Sequence, residues 1–274
     1  MNADRRQNPG DKPVAACRVP SCYQGNSTAG TIFDKTTTLL TIWFEAAWHL
    51  TTAKHGLSAR TLERMFGVRY RVAWTMLQCF RIAMVRTDRS RHSGTVEVDE
   101  TMVGGVKRGG KRGRGTAKSV VVIAVEVLDP KGFGRARIRH VPDASGAILL
   151  PFVQYAVTPG AIIHTDGLRG YNGLGATGYT HLKTVLATSD DPAHVAMTAV
   201  HRLASLLKRW ILGTHQGSVA PENLQAYLEE FPFRFNRRTS RNRGLLFHPL
   251  LEQVVVTPPM TESHLSHGKH WRPQ

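Results

Sequence analysis

The sequence predicts an α/β fold, a mixed sheet flanked by helices and preceded by a small helical domain of helix-turn-helix type. Three observations predict it. Residues 35–86 carry apolar side chains at helical spacing. From Thr95 onward, short runs rich in Val, Ile and Thr take over, the composition of strands. The order is three strand runs, a helix, a strand and then more helices, which suits one mixed sheet covered by helices.

The elements follow in chain order. Residues 1–30 are polar, with Pro, Gly, Asn and Ser, and predict no regular element. Leu39, Leu40, Trp43, Phe44, Ala47 and Trp48 recur on a helical period. Ser58 is placed to cap a short helix and Gly67 to end it. A longer helix follows over residues 70–85, with Val72, Ala73, Met76, Leu77, Phe80 and Met84 as its apolar positions. Arg60, Arg64, Arg69, Arg71 and Arg81 read as surface cations on and between these helices. Short helix, tight turn, longer helix and arginines is the pattern of a DNA-reading helix pair, although an ordinary helical hairpin shares it. The basic stretch Arg86 to Gly94 reads as a linker. Strands are expected at Thr95–Thr101, Ser119–Leu128, Ala136–Val141, Ala161–Thr165 and His181–Leu186, with a helix at Gly146–Ala156. Asp191 and Pro192 suit the start of a helix that runs to Leu212 and stops at Gly213. A last helix is expected over residues 221–231. The domains are drawn at 1–34 (polar N-terminal segment), 35–90 (helical), 94–253 (α/β) and 254–274 (polar tail).

With 274 residues the chain can bury a substantial core. Its 36 Lys and Arg against 20 Asp and Glu give a formal charge of +16. An excess of this size favours a polyanionic partner, nucleic acid first. No apolar run approaches the roughly 18 residues of a membrane span, and the first residues lack an apolar signal core, so a cytoplasmic, nucleoid-associated protein is expected. Cys17, Cys22 and Cys79 make no disulfide framework.

Asp99 and Asp166 each end a strand-like run. A carboxylate there is costly unless it is paired or holds a metal. Two of them on separate strands of so basic a chain suggest a divalent-metal site acting on phosphodiesters. Strand alternation puts Asp99 on the face of Glu97 and Thr101 and sends Glu100 the other way. The third member is expected from the late helix, where His201, Ser205 and Lys208 run beside the stripe Leu203, Leu206, Leu207, Trp210 and Ile211. A neutral imidazole can bind a metal or carry a proton, although a lone helical His is as readily a solvent-facing residue. Lys208 can hold a phosphate. Lys107, Arg108, Lys111, Arg112 and Arg114 lie among glycines after the first strand. A second basic run holds Arg234, Arg237, Arg238, Arg241 and Arg243, and Arg209 follows Lys208. Each run alone could be a solvated loop, but two flanking a metal site suit phosphate contacts. The Gly104-Gly105 and Gly109-Gly110 pairs lack nucleotide-loop spacing, and no Gly-x-Ser-x-Gly elbow occurs.

Several blocks together resemble the ISXO2-type insertion-sequence transposases, DDE-class enzymes with a ribonuclease H-like core. Val96-Glu97-Val98-Asp99-Glu100-Thr101-Met102-Val103-Gly104-Gly105 with Val120–Glu126 is similar to their first catalytic block. His164-Thr165-Asp166-Gly167 with Gly170-Tyr171 is similar to the second, and Ser205 to Arg209 through Gly213-Thr214-His215 to the third. Phe231 to Arg238 resembles their C-terminal signature, and Thr28 to Thr36 the segment that joins their zinc ribbon to the helical region. The resemblance implies cutting and joining of insertion-sequence ends. Asp99, Asp166 and His201 would hold two Mg²⁺ (or Mn²⁺) ions, with Lys208 on a phosphate. The implied partners are double-stranded terminal repeats and target DNA, bound by a homodimer or higher assembly. The sequence departs from the family in three respects. His201 stands where the family has its third acidic residue (Asn in some members), and Met102 where it usually has Tyr. Only Cys17 and Cys22 lie near the ribbon position, so zinc is not expected. A catalytically impaired DNA-binding remnant and a cut-only nuclease of the same fold stand as alternatives.

Overall fold

The computed structural model describes residues 28–86, 88–104, 118–130, 132–184, 197–217, 219–261 and 265. Cys17, Cys22, Lys107, Arg108, Lys111, Arg112, Arg114, Asp191 and Pro192 lie outside them.

Helices α1 (Leu40–Thr52), α2 (Ala59–Phe66) and α3 (Tyr70–Ala83) form the first unit. The Ser58 hydroxyl caps α2 by accepting the Thr61 N–H at 3.1 Å. Gly67, at φ 65°, ends it in a left-handed turn that glycine adopts without steric cost. Trp43 packs edge-on against Phe33 and Phe80, with ring centroids 5.3 and 5.4 Å away. Cys79 is a core thiol, pushed up to about 12 by burial.

The same core also takes residues from both sides of the expected boundaries. Ile32 and Phe33, placed in the polar N-terminal segment, are buried in it. So are Leu246, Leu250, Val254 and Leu265, carried by the 3₁₀ turn Arg243–Leu246, helix α7 (Phe247–Val254) and the residues beyond. The helical unit is thus closed by the C-terminal segment, which composition alone divides between the α/β domain and a tail.

The sheet comprises β1 (Thr95–Val103), β2 (Ser119–Val127), β3 (Phe133–Val141), β4 (Ile162–Thr165) and β5 (Thr180–Lys183), in spatial order β3-β2-β1-β4-β5. The first three strands are antiparallel neighbours, while β4 runs parallel to β1 and β5 parallel to β4. This is the expected mixed sheet flanked by helices. Helix α4 (Gly146–Ala156) covers one face, packing Leu149, Phe152 and Val153 on Val96, Val98, Val122 and Ala124. Helices α5 (Thr198–His215) and α6 (Pro221–Phe235) cover the other, packing Leu203, Leu207, Leu224 and Leu228 on Val121, Ile123, Val125 and Ile138. The unbroken apolar run of β2 therefore feeds both layers by alternation.

Some boundaries shift. Strand β3 begins at Phe133 rather than Ala136, because Phe133 pairs with Val127 across an irregularity in the ladder. Helix α6 passes through Pro232 to Phe235, since proline's fixed φ is helical and only one ladder bond is forgone. Helix α5 passes Gly213 and ends at Gln216, whose φ of 53° is left-handed.

Two arginines expected on the surface join the helical unit to α6. Arg81 is buried, with Nε 2.8 Å from Glu230 Oε2 and side-chain exposures of 1% and 0%. Its guanidinium lies 4.0 Å over the Tyr227 ring. Arg234 meets Glu230 at 3.1 Å and donates to the backbone carbonyls of Ala53, at 2.8 Å, and Leu50. Arg234 is therefore a partner of protein carbonyls at this junction, not the DNA-facing cation its basic neighbourhood suggested.

Candidate metal centre and nucleic-acid surface

The centre forms where β1 outruns β4. The β1–β4 ladder ends at Glu97 paired with His164, so the second half of β1 has no neighbour on that side. Asp99 and Glu100 lie in this unpaired half, and Asp166 follows directly on the end of β4. One carboxylate oxygen from each of Asp99, Glu100 and Asp166 lies within 4.8 Å of the other two. Among the described residues this is the one group of three His, Cys, Asp or Glu side chains that converges so closely.

The local chain holds the cluster in place. Asp99 Oδ1 accepts the Glu100 N–H at 2.8 Å, and Asp166 Oδ1 accepts the Leu168 N–H at 3.0 Å. The Tyr171 hydroxyl, itself buried, donates to Glu100 Oε2 at 3.5 Å. Burial, reinforced by Glu100 and Asp166, pushes the Asp99 carboxyl up to about 7. Burial and the same three carboxylates hold the Tyr171 phenol well above its ordinary range, so it stays a donor.

Glu97 and Glu100 exchange the places expected of them. Glu97 is on the Asp99 face, as alternation requires, but its Oε2 accepts the Val200 N–H of α5 at 2.8 Å, away from the cluster. Glu100, expected to leave, joins it. Alternation fixes the side of the sheet, but at an unpaired edge both sides border the same gap.

His201 sits on the first turns of α5 with Nδ1 3.8 Å from Asp99 Oδ2, and its Nε2 is buried without a hydrogen-bond partner. Its ring is beside Asp99 but outside the carboxylate triple. Lys208, two turns further along α5, is exposed. Partial burial of its side chain lowers its ammonium, Lys118 adds to this, and the attraction of Asp99 opposes it.

Arg64, Arg69 and Arg71 are exposed on α2 and α3 or in the turn between them. Arg60 is exposed too, but pairs with Glu63 at 2.9 Å and lies over the Tyr70 ring at 4.5 Å. Arg209 is exposed on α5. Arg237 and Arg238, expected to face DNA, turn towards the protein. Arg237 donates to Phe233 O at 3.1 Å, and Arg238 to Phe235 O at 3.0 Å and to Gly134 and Phe133 carbonyls. Both guanidiniums lie over aromatic rings, at 4.1 Å on Phe233 and 4.0 Å on Phe235. No helix among the described residues is long and apolar enough to cross a membrane.

The chain is similar to an uncharacterized transposase-like protein of Haemophilus influenzae, at 24% identity over 116 residues, covering 42% of this chain and 93% of that one. Among solved structures it is similar to the catalytic core domain of BIV integrase, at 14% identity and a TM-score of 0.32, covering 55% of this chain and 87% of that one. Residues 91–236 match the ISXO2-like transposase domain. That span is more than half of the sequence and holds Asp99, Glu100, Asp166, His201 and Lys208, so the chain belongs to the ISXO2-like transposase family.

Proposed function

We propose that this chain cuts the ends of an insertion sequence and joins them to target DNA, at the carboxylates in the gap between β1 and β4. The observation that carries this reading is the convergence of Asp99 and Asp166 from two separate family blocks. The donor set fits a hard divalent cation, because carboxylate oxygens are the ligands such ions take. Oxygens about 2.1 Å from one Mg²⁺ lie at most about 4.2 Å apart, so a small closure of the cluster suffices. The fit is with Mg²⁺ or Mn²⁺, two ions in all. When bound, such ions lower the pKa of an attacking water or 3′-hydroxyl and stabilise the leaving oxygen of an in-line displacement.

Asp99 and Asp166 hold the metal. His201 stands at the family's third ligand position, and its buried Nε2 is the nitrogen left for a second ion. Lys208 holds a DNA phosphate near the cleavage point by charge. Arg60, Arg64, Arg69, Arg71 and Arg209 contact the backbone of double-stranded terminal repeats or target DNA, together with the Lys107–Arg114 stretch. Pairing two ends favours a homodimer or higher assembly on DNA.

His201 in place of an acid favours a second reading, a remnant that binds DNA or cuts it without joining. A strand-transfer assay on paired terminal repeats with Mg²⁺ separates these. Joined product is expected from the wild-type chain, and cut-only or bound-only DNA would select the second reading. Asp166→Asn is expected to abolish cleavage while leaving DNA binding intact, and His201→Ala to slow cleavage at least tenfold. Full cleavage by Asp166→Asn would remove the site from the gap between β1 and β4.

A further inference from the structure

We infer that Glu100 supplies the third carboxylate of the metal site, the charge lost where His201 replaces an acid. This deepens the reading above and depends on it. Asp99 and His201 alone do not complete an oxygen shell, since the imidazole lies 3.8 Å from one Asp99 oxygen and stands apart from the triple. Glu100 meets the geometric requirement, with an oxygen within 4.8 Å of both Asp99 and Asp166.

Three features hold Glu100 there. It follows Asp99 on the unpaired half of β1, so no β4 backbone separates it from Asp166. Its own backbone N–H donates to Asp99 Oδ1 at 2.8 Å, which fixes the Asp99 carboxylate against the Glu100 backbone on the strand. Tyr171, held on a 3₁₀ turn just after Asp166, donates its hydroxyl to the Glu100 carboxylate at 3.5 Å. A phenol O–H aimed at this carboxylate orients one ligand, as outer partners of metal ligands do. Hard divalent ions favour oxygen over nitrogen donors. A third carboxylate from β1 therefore restores the site's charge, and the histidine on α5 is left for a secondary place.

Direct binding of Mn²⁺ to the full chain, read by the loss of the free-ion electron paramagnetic resonance signal, tests this without DNA or turnover. Glu100→Gln keeps the shape of the side chain and removes its charge, and circular dichroism melting confirms the fold of each variant. Glu100→Gln is expected to weaken Mn²⁺ binding at least tenfold, as Asp166→Asn does. Glu100→Gln within threefold of wild type, beside an Asp166→Asn that has lost binding, overturns the role of Glu100 alone. Binding unchanged in both variants, or absent from the wild type, overturns the metal site as a whole.

Discussion

Asp99 carries the strongest electrostatic consequence of a single side chain. Its carboxyl is raised to about 7 in the folded chain, against about 4 in an unfolded one. The folded state thus keeps a proton that the unfolded state loses. Without metal, stability is lost as pH rises from about 4 to about 7, by up to about 4 kcal/mol. Asp99→Asn removes the charge, so with chelator present it is expected to melt roughly 4 °C or more above wild type at about pH 8 and to match it near pH 4. Equal melting at the higher pH would show that the buried charge is relieved in some other way. Asp99 and Asp166 were legible in the sequence because acids that close apolar runs are rare without a task, although β1 itself continues past Asp99 to Val103. Glu100 was not, because alternation assumes a neighbour on each side, and the register that removes one is a tertiary fact. Arg81 misled in a related way, since a helix pattern gives the face of a residue but not what later packs on that face.

At the scale of elements, the helix pair was readable in detail. Ser58 and Gly67 mark the ends of α2 by local chemistry alone, a hydroxyl acceptor and a left-handed backbone. Helix α4 matched its expected span residue for residue. The arginines of this pair divide into Arg60, engaged with Glu63 and Tyr70, and Arg64 and Arg69, which are exposed. Replacing both Arg64 and Arg69 by Ala is expected to weaken DNA binding and to reduce the slope of log affinity against log salt by about 2, one for each phosphate no longer neutralised. Fluorescence anisotropy across a salt series measures both, and an unchanged slope would assign the DNA surface elsewhere. Arg237 and Arg238 show the limit of composition, because a basic run near a site looks the same whether its guanidiniums meet phosphates or carbonyls.

The whole molecule is held together by packing that no local pattern announces. The C-terminal segment returns to fill the core of the first helices, with Leu250 and Val254 fully buried there. Glu230 of α6 meets Arg81 of the helical unit, and its helix neighbour Arg234 reaches the carbonyls of Ala53 and Leu50. Burial opposes the ionisation of Glu230, but Arg81 and then Arg234 outweigh this and hold its carboxyl below the ordinary range. Glu230→Ala leaves Arg81 charged in a closed interior and is expected to cost about 3–5 kcal/mol, as broken buried pairs do. Urea denaturation measures it, and a loss under about 1 kcal/mol would mean that water reaches the orphaned guanidinium.

Strand β4 stops after four residues, at Thr165, and Gly167 then turns the chain away at φ 78°. On the proposed reading, the reactive chamber is made by an interruption in the weave: had those two strands zipped on together, backbone would lie where the cation and the scissile bond are proposed to meet. It follows that this chemistry is vulnerable to changes that add order as well as to those that remove charge. A substitution that lengthened the shorter strand would silence the chamber with every acid still in place.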